Sequence, residues 1–109
     1  MKEKIYIYHG VLKESIQSLL DEGIRPNSYW GEIIEANKYT DCNKLIKIDS
    51  SLYDIEPNYT LINYYKNESS EEYQLWIESK QRWEDSLFIF GSVIIETSIF
   101  LADTEIVEV

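Results

Sequence analysis

The chain has 109 residues, 20 acidic against 10 basic for a formal net charge of −10, and is 44% hydrophobic with nine tyrosines and three tryptophans. That length and apolar content fit one domain able to bury a core without disulfides or a structural metal. The Lys and Arg residues are nowhere concentrated, which disfavours nucleic acid as a partner, since backbone phosphates demand clustered cations; the acid excess suits a soluble surface or a basic protein partner.

The single cysteine, Cys42, has no mate for a disulfide, and no Cys/His spacing suits zinc, so a reducing, cytoplasmic setting is expected. Met1-Lys2-Glu3-Lys4 leads into an apolar run too short and too rich in tyrosine for a signal peptide or a membrane span.

Ile5 and Ile7 alternate with Tyr6 and Tyr8, the period of a strand, and His9, the only histidine, falls on the isoleucine face. Gly10 follows it, where a missing side chain lets another molecule approach the backbone. Val11, Leu12, Ile16, Leu19 and Leu20 then form one helical stripe ending at Gly23, a C-cap residue. Pro26 and Asn27 mark a turn, and residues 32–39 read as a second short helix.

Leu45, Ile46 and Ile48 form the next expected strand, bounded by Asn43 and Asp49. Pro57 breaks the stretch that follows, and Tyr59 to Tyr65 suit a helical turn or two. Ser69-Ser70-Glu71-Glu72 reads as a capping box opening a helix to about Trp83, with Tyr73, Trp76, Ile77, Lys80 and Trp83 on one face and both tryptophans in the core. The glutamates and Asp85 around it look solvated. Beyond Asp85 the expected elements are strands: 87–90, 93–96, 99–101 and 106–109, in mixed or antiparallel pairing. The whole reads as a single α+β domain, residues 1–109, with helices packed on a small split sheet.

Four segments stand in a suggestive order: Tyr8-His9-Gly10, Gly23-Ile24-Arg25-Pro26, Tyr29-Trp30-Gly31 and Ala36-Asn37-Lys38-Tyr39. Together with Glu96 inside the apolar run 93–101, they resemble the ADP-ribosyltransferase-like superfold, which includes the poly(ADP-ribose) polymerases and the tRNA 2′-phosphotransferases. The resemblance implies NAD as substrate, no metal, and glycosyl transfer of ADP-ribose to an acceptor, in the manner of a small effector from phage or bacterial conflict systems.

It further implies that His9 donates a hydrogen bond to a ribose hydroxyl, that the Gly10 backbone binds the nicotinamide carboxamide and that Tyr39 stacks on the nicotinamide ring. Glu96 would stabilise the oxocarbenium-like transition state, electrostatic work suited to a carboxylate beside an apolar wall. Arg25, Tyr29 and Trp30 would complete the cofactor site. The polymerase branch has a Gly-x-Tyr-Phe-Ala strand after the aromatic-Gly segment, and here Gly31 runs directly into Glu32-Ile33-Ile34-Glu35. Two arginines in all, Arg25 and Arg82, do not suit a phosphorylated RNA substrate.

The residues also have plainer readings. His9 is either a pocket residue or a hydrogen-bonded histidine at a strand end. Glu96 is either a site carboxylate or a solvated guard of a sheet edge. Tyr29, Trp30 and Tyr39 are ligand contacts or ordinary core and rim aromatics, and Arg25 is a ligand-facing cation or a surface ion-pair partner. Two rival functions therefore stand beside transfer: an acidic inhibitor or immunity-type protein of the same fold, and a non-catalytic sensor of NAD or ADP-ribose.

Overall fold

A computed structural model describes residues 4–109, with Asp103 described by its backbone alone. The leader reading that involves Met1, Lys2 and Glu3 lies outside the described residues. The described residues fold as an α+β unit: six strands, β1 (Tyr6–Gly10), β2 (Ser28–Gly31), β3 (Lys44–Asp49), β4 (Ile55–Pro57), β5 (Ser92–Ile95) and β6 (Glu105–Glu108), with five α-helices, α1 (Ile16–Glu22), α2 (Ile33–Ala36), α3 (Tyr59–Asn67), α4 (Glu71–Glu78) and α5 (Trp83–Phe90). No helix among the described residues is long and apolar enough to cross a membrane.

The strands form one sheet in the order β4-β5-β2-β1-β3-β6, and every pairing is antiparallel. Pairing strength is uneven along it. β1 matches β3 over five residues and β2 matches β5 over four, whereas β1 meets β2 only at Tyr8 with Gly31. Two three-stranded halves thus share a short seam. Ile7, Ile46, Ile48, Trp30, Val93 and Ile95 line one face across both halves, and Val11, Ile24, Leu87 and Ile99 close the core over them. Cross-strand partners point the same way, so alternate apolar residues build a continuous layer.

A smaller core of Ile62, Trp76 and Phe90 joins α3, α4 and α5. Buried polar groups are matched within these cores: the Trp30 indole N–H donates to Ser28 Oγ at 2.7 Å. No buried side-chain nitrogen or oxygen among the described residues lacks a partner.

Several expected elements change. The first helix begins with a 3-10 turn at Lys13–Ser15 and becomes α-helical only at Ile16, because Val11 is still tied to the sheet through its N–H on the Lys44 carbonyl, 3.0 Å away. Gly23 caps it as expected, donating to Leu19 O. The cap of α4 is Ser70, whose Oγ accepts from the Tyr73 N–H, while Ser69 takes a left-handed φ of 51° outside the helix.

That helix stops at Glu78 rather than running to Trp83. The expected shared face of Trp76 and Trp83 is therefore split between two helices, with Trp76 in the small core and Trp83 partly buried against the large one. Residues 87–90 are helical, not a strand. Asp85 accepts the Arg82 N–H at 3.1 Å at the start of α5, Gly91 ends it in the left-handed region at φ 76°, and Leu87 and Phe90 turn inward while Phe88 is exposed. Ile99 makes only an isolated bridge with Ile24, and residues 101–103 form a 3-10 turn, so the expected strand 99–101 is absent.

Candidate functional site

A cleft of about 990 Å³ opens at the seam between the half-sheets. Its lining joins segments far apart in sequence: Tyr8, His9 and Gly10 from β1, Tyr29, Trp30 and Gly31 from β2, Glu35, Ala36, Lys38 and Tyr39 from α2 and the 3-10 turn Asn37–Tyr39, Tyr64 and Tyr65 from α3, and Ser92 from β5. Rings dominate its walls. Such a surface suits a planar or amphipathic ligand better than a highly charged one.

His9 sits at the seam. Its ring centroid is 5.1 Å from that of Trp30, and its Nδ1 is 2.7 Å from the Tyr29 carbonyl oxygen. A carbonyl can only accept, so Nδ1 carries the proton. Burial pushes the imidazole pKa below its ordinary value, outweighing the pull of the Tyr29 carbonyl in the other direction, and the neutral ring is favoured. Its Nε2 is then a lone-pair acceptor. With Nδ1 committed to Tyr29, any further hydrogen bond of the neutral ring is made at Nε2, as an acceptor.

Gly10 is required by the protein itself. A Cβ there would lie 2.7 Å from the Ala36 carbonyl oxygen and 2.9 Å from the Tyr39 carbonyl carbon, so the bare backbone of β1 lets the 36–39 turn pack down and present Tyr39. Close approach was expected from another molecule, and the chain's own turn makes it. Gly31 has a similar reason, since a Cβ would collide with the Gly91 carbonyl.

Five of the seven expected site residues, His9, Gly10, Tyr29, Trp30 and Tyr39, line this cleft. Trp30 is buried, its ring packed on His9; Tyr29 and Tyr39 are exposed, and the Tyr39 side chain stands at the rim with 62% of its surface free. Arg25 and Glu96 are not among the lining residues. Arg25 is exposed on the surface, with its guanidinium 3.8 Å from Glu22. Glu96 follows the last residue of β5, four positions beyond Ser92 and roughly 13 Å along an extended chain; it is exposed, and its carbonyl accepts from the Asn27 N–H.

The carboxylates that do line the cleft are Glu35 and Asp41. Glu35 is 2.9 Å from Lys38 Nζ, a contact that raises the lysine pKa, and Asp41 accepts the Lys13 N–H at 2.7 Å. Glu35 stands on α2 and Asp41 in the bend that follows the Asn37–Tyr39 turn, and neither was among the expected site residues.

A buried polar group forms the floor on the β5 side. Ser86, fully buried on α5, accepts from the Asn58 N–H at 3.0 Å and donates to the Ser92 carbonyl at 2.7 Å. Asn58 Nδ2 donates to Ser92 Oγ at 3.0 Å, while Asn58 Oδ1 caps α3 through the Leu61 N–H. An Asn directly after Pro57 and before the Tyr59–Asn67 helix is an N-cap signal, the one trace of this group legible beforehand.

Among the described residues no three His, Cys, Asp or Glu side chains gather to hold a metal ion. No protein-family model, curated protein or solved structure matches the chain.

Proposed function

We propose that this chain is an ADP-ribosyltransferase-like domain that binds an NAD-type or ADP-ribose-type nucleotide in the seam cleft and works as a binding or sensing module. One observation carries the reading: the segments around His9-Gly10, Tyr29-Trp30-Gly31 and Tyr39, separated in sequence, line a single ring-walled cleft at the junction of the half-sheets. The exposed ring at Tyr39 suits a flat heterocycle, and the polar His9 ring in the lining suits a ribose hydroxyl.

Binding is favoured over transfer because the carboxylate assigned to catalysis, Glu96, is exposed and outside the lining. The lining also offers one lysine, already paired with Glu35, so a pyrophosphate would meet no free cation there and would sit toward solvent. A second reading has its own support. Glu35 puts a carboxylate in the cleft, where it could stabilise a cationic ribosyl centre if transfer occurs.

Titration calorimetry with NAD and ADP-ribose, beside an assay of nicotinamide release, separates these readings. Binding without release is expected for wild type and for Glu96→Gln. Release that is lost in Glu35→Gln and kept in Glu96→Gln would establish the second reading, and no binding of either nucleotide would remove both.

A further inference from the structure

The two edges of the sheet are unlike. β4 is three residues long and ends in Pro57, which has no N–H to offer a neighbour. β6, at the other edge, runs Glu105-Ile106-Val107-Glu108 without proline or glycine, and among the described residues it pairs with β3 alone. Its free side follows from the ladder. The Lys44 carbonyl accepts from the Val11 N–H on the β1 side, and the Asn43 carbonyl accepts from the Val109 N–H on the β6 side. Main-chain groups alternate along β3, so Leu45 and Lys47 bond toward β6, where their partners are Val107 and Glu105. The N–H and C=O groups of Ile106 and Glu108 therefore point outward, a template for one more strand.

The side chains say what that strand must be. His9, Ile46 and Ile106 stand in register across β1, β3 and β6, so Ile106 is the outermost member of a core row. Ile46 is fully buried, whereas Ile106 is 53% exposed where the sheet ends. Both line a small groove of about 70 Å³ with Ile16, Leu19 and Leu20 of α1, and Leu20 is exposed as well. The ladder also alternates in charge. Lys44 stands opposite Glu108 and Lys47 opposite Glu105, with Lys47 Nζ 3.9 Å from the Glu105 carboxylate. Both glutamates are exposed. Like charges directly opposite destabilise a strand pair, so lysine or arginine beside these glutamates continues the alternation. A second copy does not fit, since it would bring another net charge of −10 to the same edge.

We propose that the β6 edge is a docking site for an extended basic segment of a partner protein. The segment adds to the sheet as a further strand, sets an apolar side chain beside Ile106 on the α1 face, and places lysine or arginine opposite Glu105 and Glu108. Main-chain bonds to Ile106 and Glu108 supply the hold, and the side chains supply the choice of partner. In the sheet order β6 is separated by β3 from β1, the strand at the seam, and no β6 residue lines the cleft. The surface therefore stands apart from the cleft, whether or not the cleft takes a nucleotide.

The probe is the capped peptide acetyl-Ser-Lys-Thr-Ile-Lys-Ser-amide, whose central residues, laid antiparallel, put isoleucine opposite Ile106 and lysines opposite Glu108 and Glu105. It is titrated into the isotope-labelled chain at low and at high salt, and backbone amide resonances and hydrogen exchange are followed. Glu108→Pro removes an outward N–H while sparing the bonds of β6 to β3, and Glu108→Gln removes the charge alone. A second peptide carries a methyl group on the isoleucine nitrogen, which would otherwise donate to the Ile106 carbonyl. Shifts centred on β6 and slowed exchange of the Ile106 and Glu108 amides are expected, with about tenfold weaker binding for the methylated peptide and for Glu108→Pro. Glu108→Gln should weaken binding about threefold at low salt and hardly at all at high salt. Absence of shifts at β6, or equal binding of the two peptides, overturns the proposal. Concentration-dependent pairing of the wild-type chain in sedimentation, abolished by Glu108→Pro, would give the edge to a second copy and overturn it too. Should Glu108→Pro not fold, the methylated peptide decides, since it leaves the protein unaltered.

Discussion

The His9 imidazole and the Tyr29 carbonyl, 2.7 Å apart, tie β1 to β2 where the backbone ladder between them has a single residue pair. One side chain thus serves both as a strut across the seam and as a wall of the cleft. Replacing it with alanine removes a hydrogen bond and the ring packed on Trp30, for an expected loss of about 1–3 kcal/mol in urea unfolding. His9→Asn, which keeps an amide donor, is expected to lose less.

Burial of the same ring predicts a pH dependence. Burial lowers the folded-state pKa of His9, so between that value and the ordinary value of about 6.5 the unfolded chain binds more protons than the folded one. Stability contributed by the neutral ring is fully present above about pH 6.5 and declines as pH falls through the window. The wild-type melting temperature, taken relative to that of His9→Asn to cancel the titration of the many carboxylates, should drop on going from pH 7 to pH 5. A difference that is flat or rises on acidification contradicts the buried neutral imidazole.

Ser86 ties the start of α3 and strand β5 to α5 through one hydroxyl, accepting from the Asn58 N–H and donating to the Ser92 carbonyl with none of its surface exposed. Ser86→Ala orphans both backbone groups. A cost of about 2 kcal/mol in chemical unfolding is expected, against a few tenths for alanine at exposed Ser51 Oγ, whose bond is to Asp49 at the surface.

Gly23 holds φ 75° and ψ −159°, a region closed to residues with a side chain, and a Cβ there would strike the Ile99 carbonyl. The backbone pairing of Ile24 with Ile99 depends on that approach. Gly23→Ala should lower stability by about 1–3 kcal/mol, read from the urea midpoint at unchanged slope.

Tyr39 separates binding from folding. Its ring is exposed at the cleft rim while its backbone packs under Gly10, so Tyr39→Ala is expected to leave the melting temperature nearly unchanged and to weaken nucleotide binding about fivefold to tenfold. A stability loss as large as that of His9→Ala would mean that the ring is structural.

The elements legible in the sequence were those with one clear local signal. The Ile5–His9 alternation, the Leu45–Ile48 run, the Gly23 cap and the Ser/Glu start of α4 each state their own geometry. Residues 87–90 misled because Leu-Phe-Ile-Phe satisfies strand propensity, and the deciding features, an Asp85 cap and the Gly91 terminator, act only once the chain has turned there. For the site, the segments around His9, Tyr29 and Tyr39 were legible because motifs mark them; Ser92, Asn58 and Glu35 were not, since nothing local distinguishes a cleft serine from a surface one.

By itself the sequence determined an acidic α+β chain, the positions of its main apolar strands, and the Gly23 helix cap, because side-chain period and backbone sterics are local. Tertiary structure alone decided that the first two strands meet at one pair and are held by His9, that Arg25 and Glu96 fall outside the cleft, and that Ser92 faces it, because these depend on strand register and on which carbonyl a buried ring must bond.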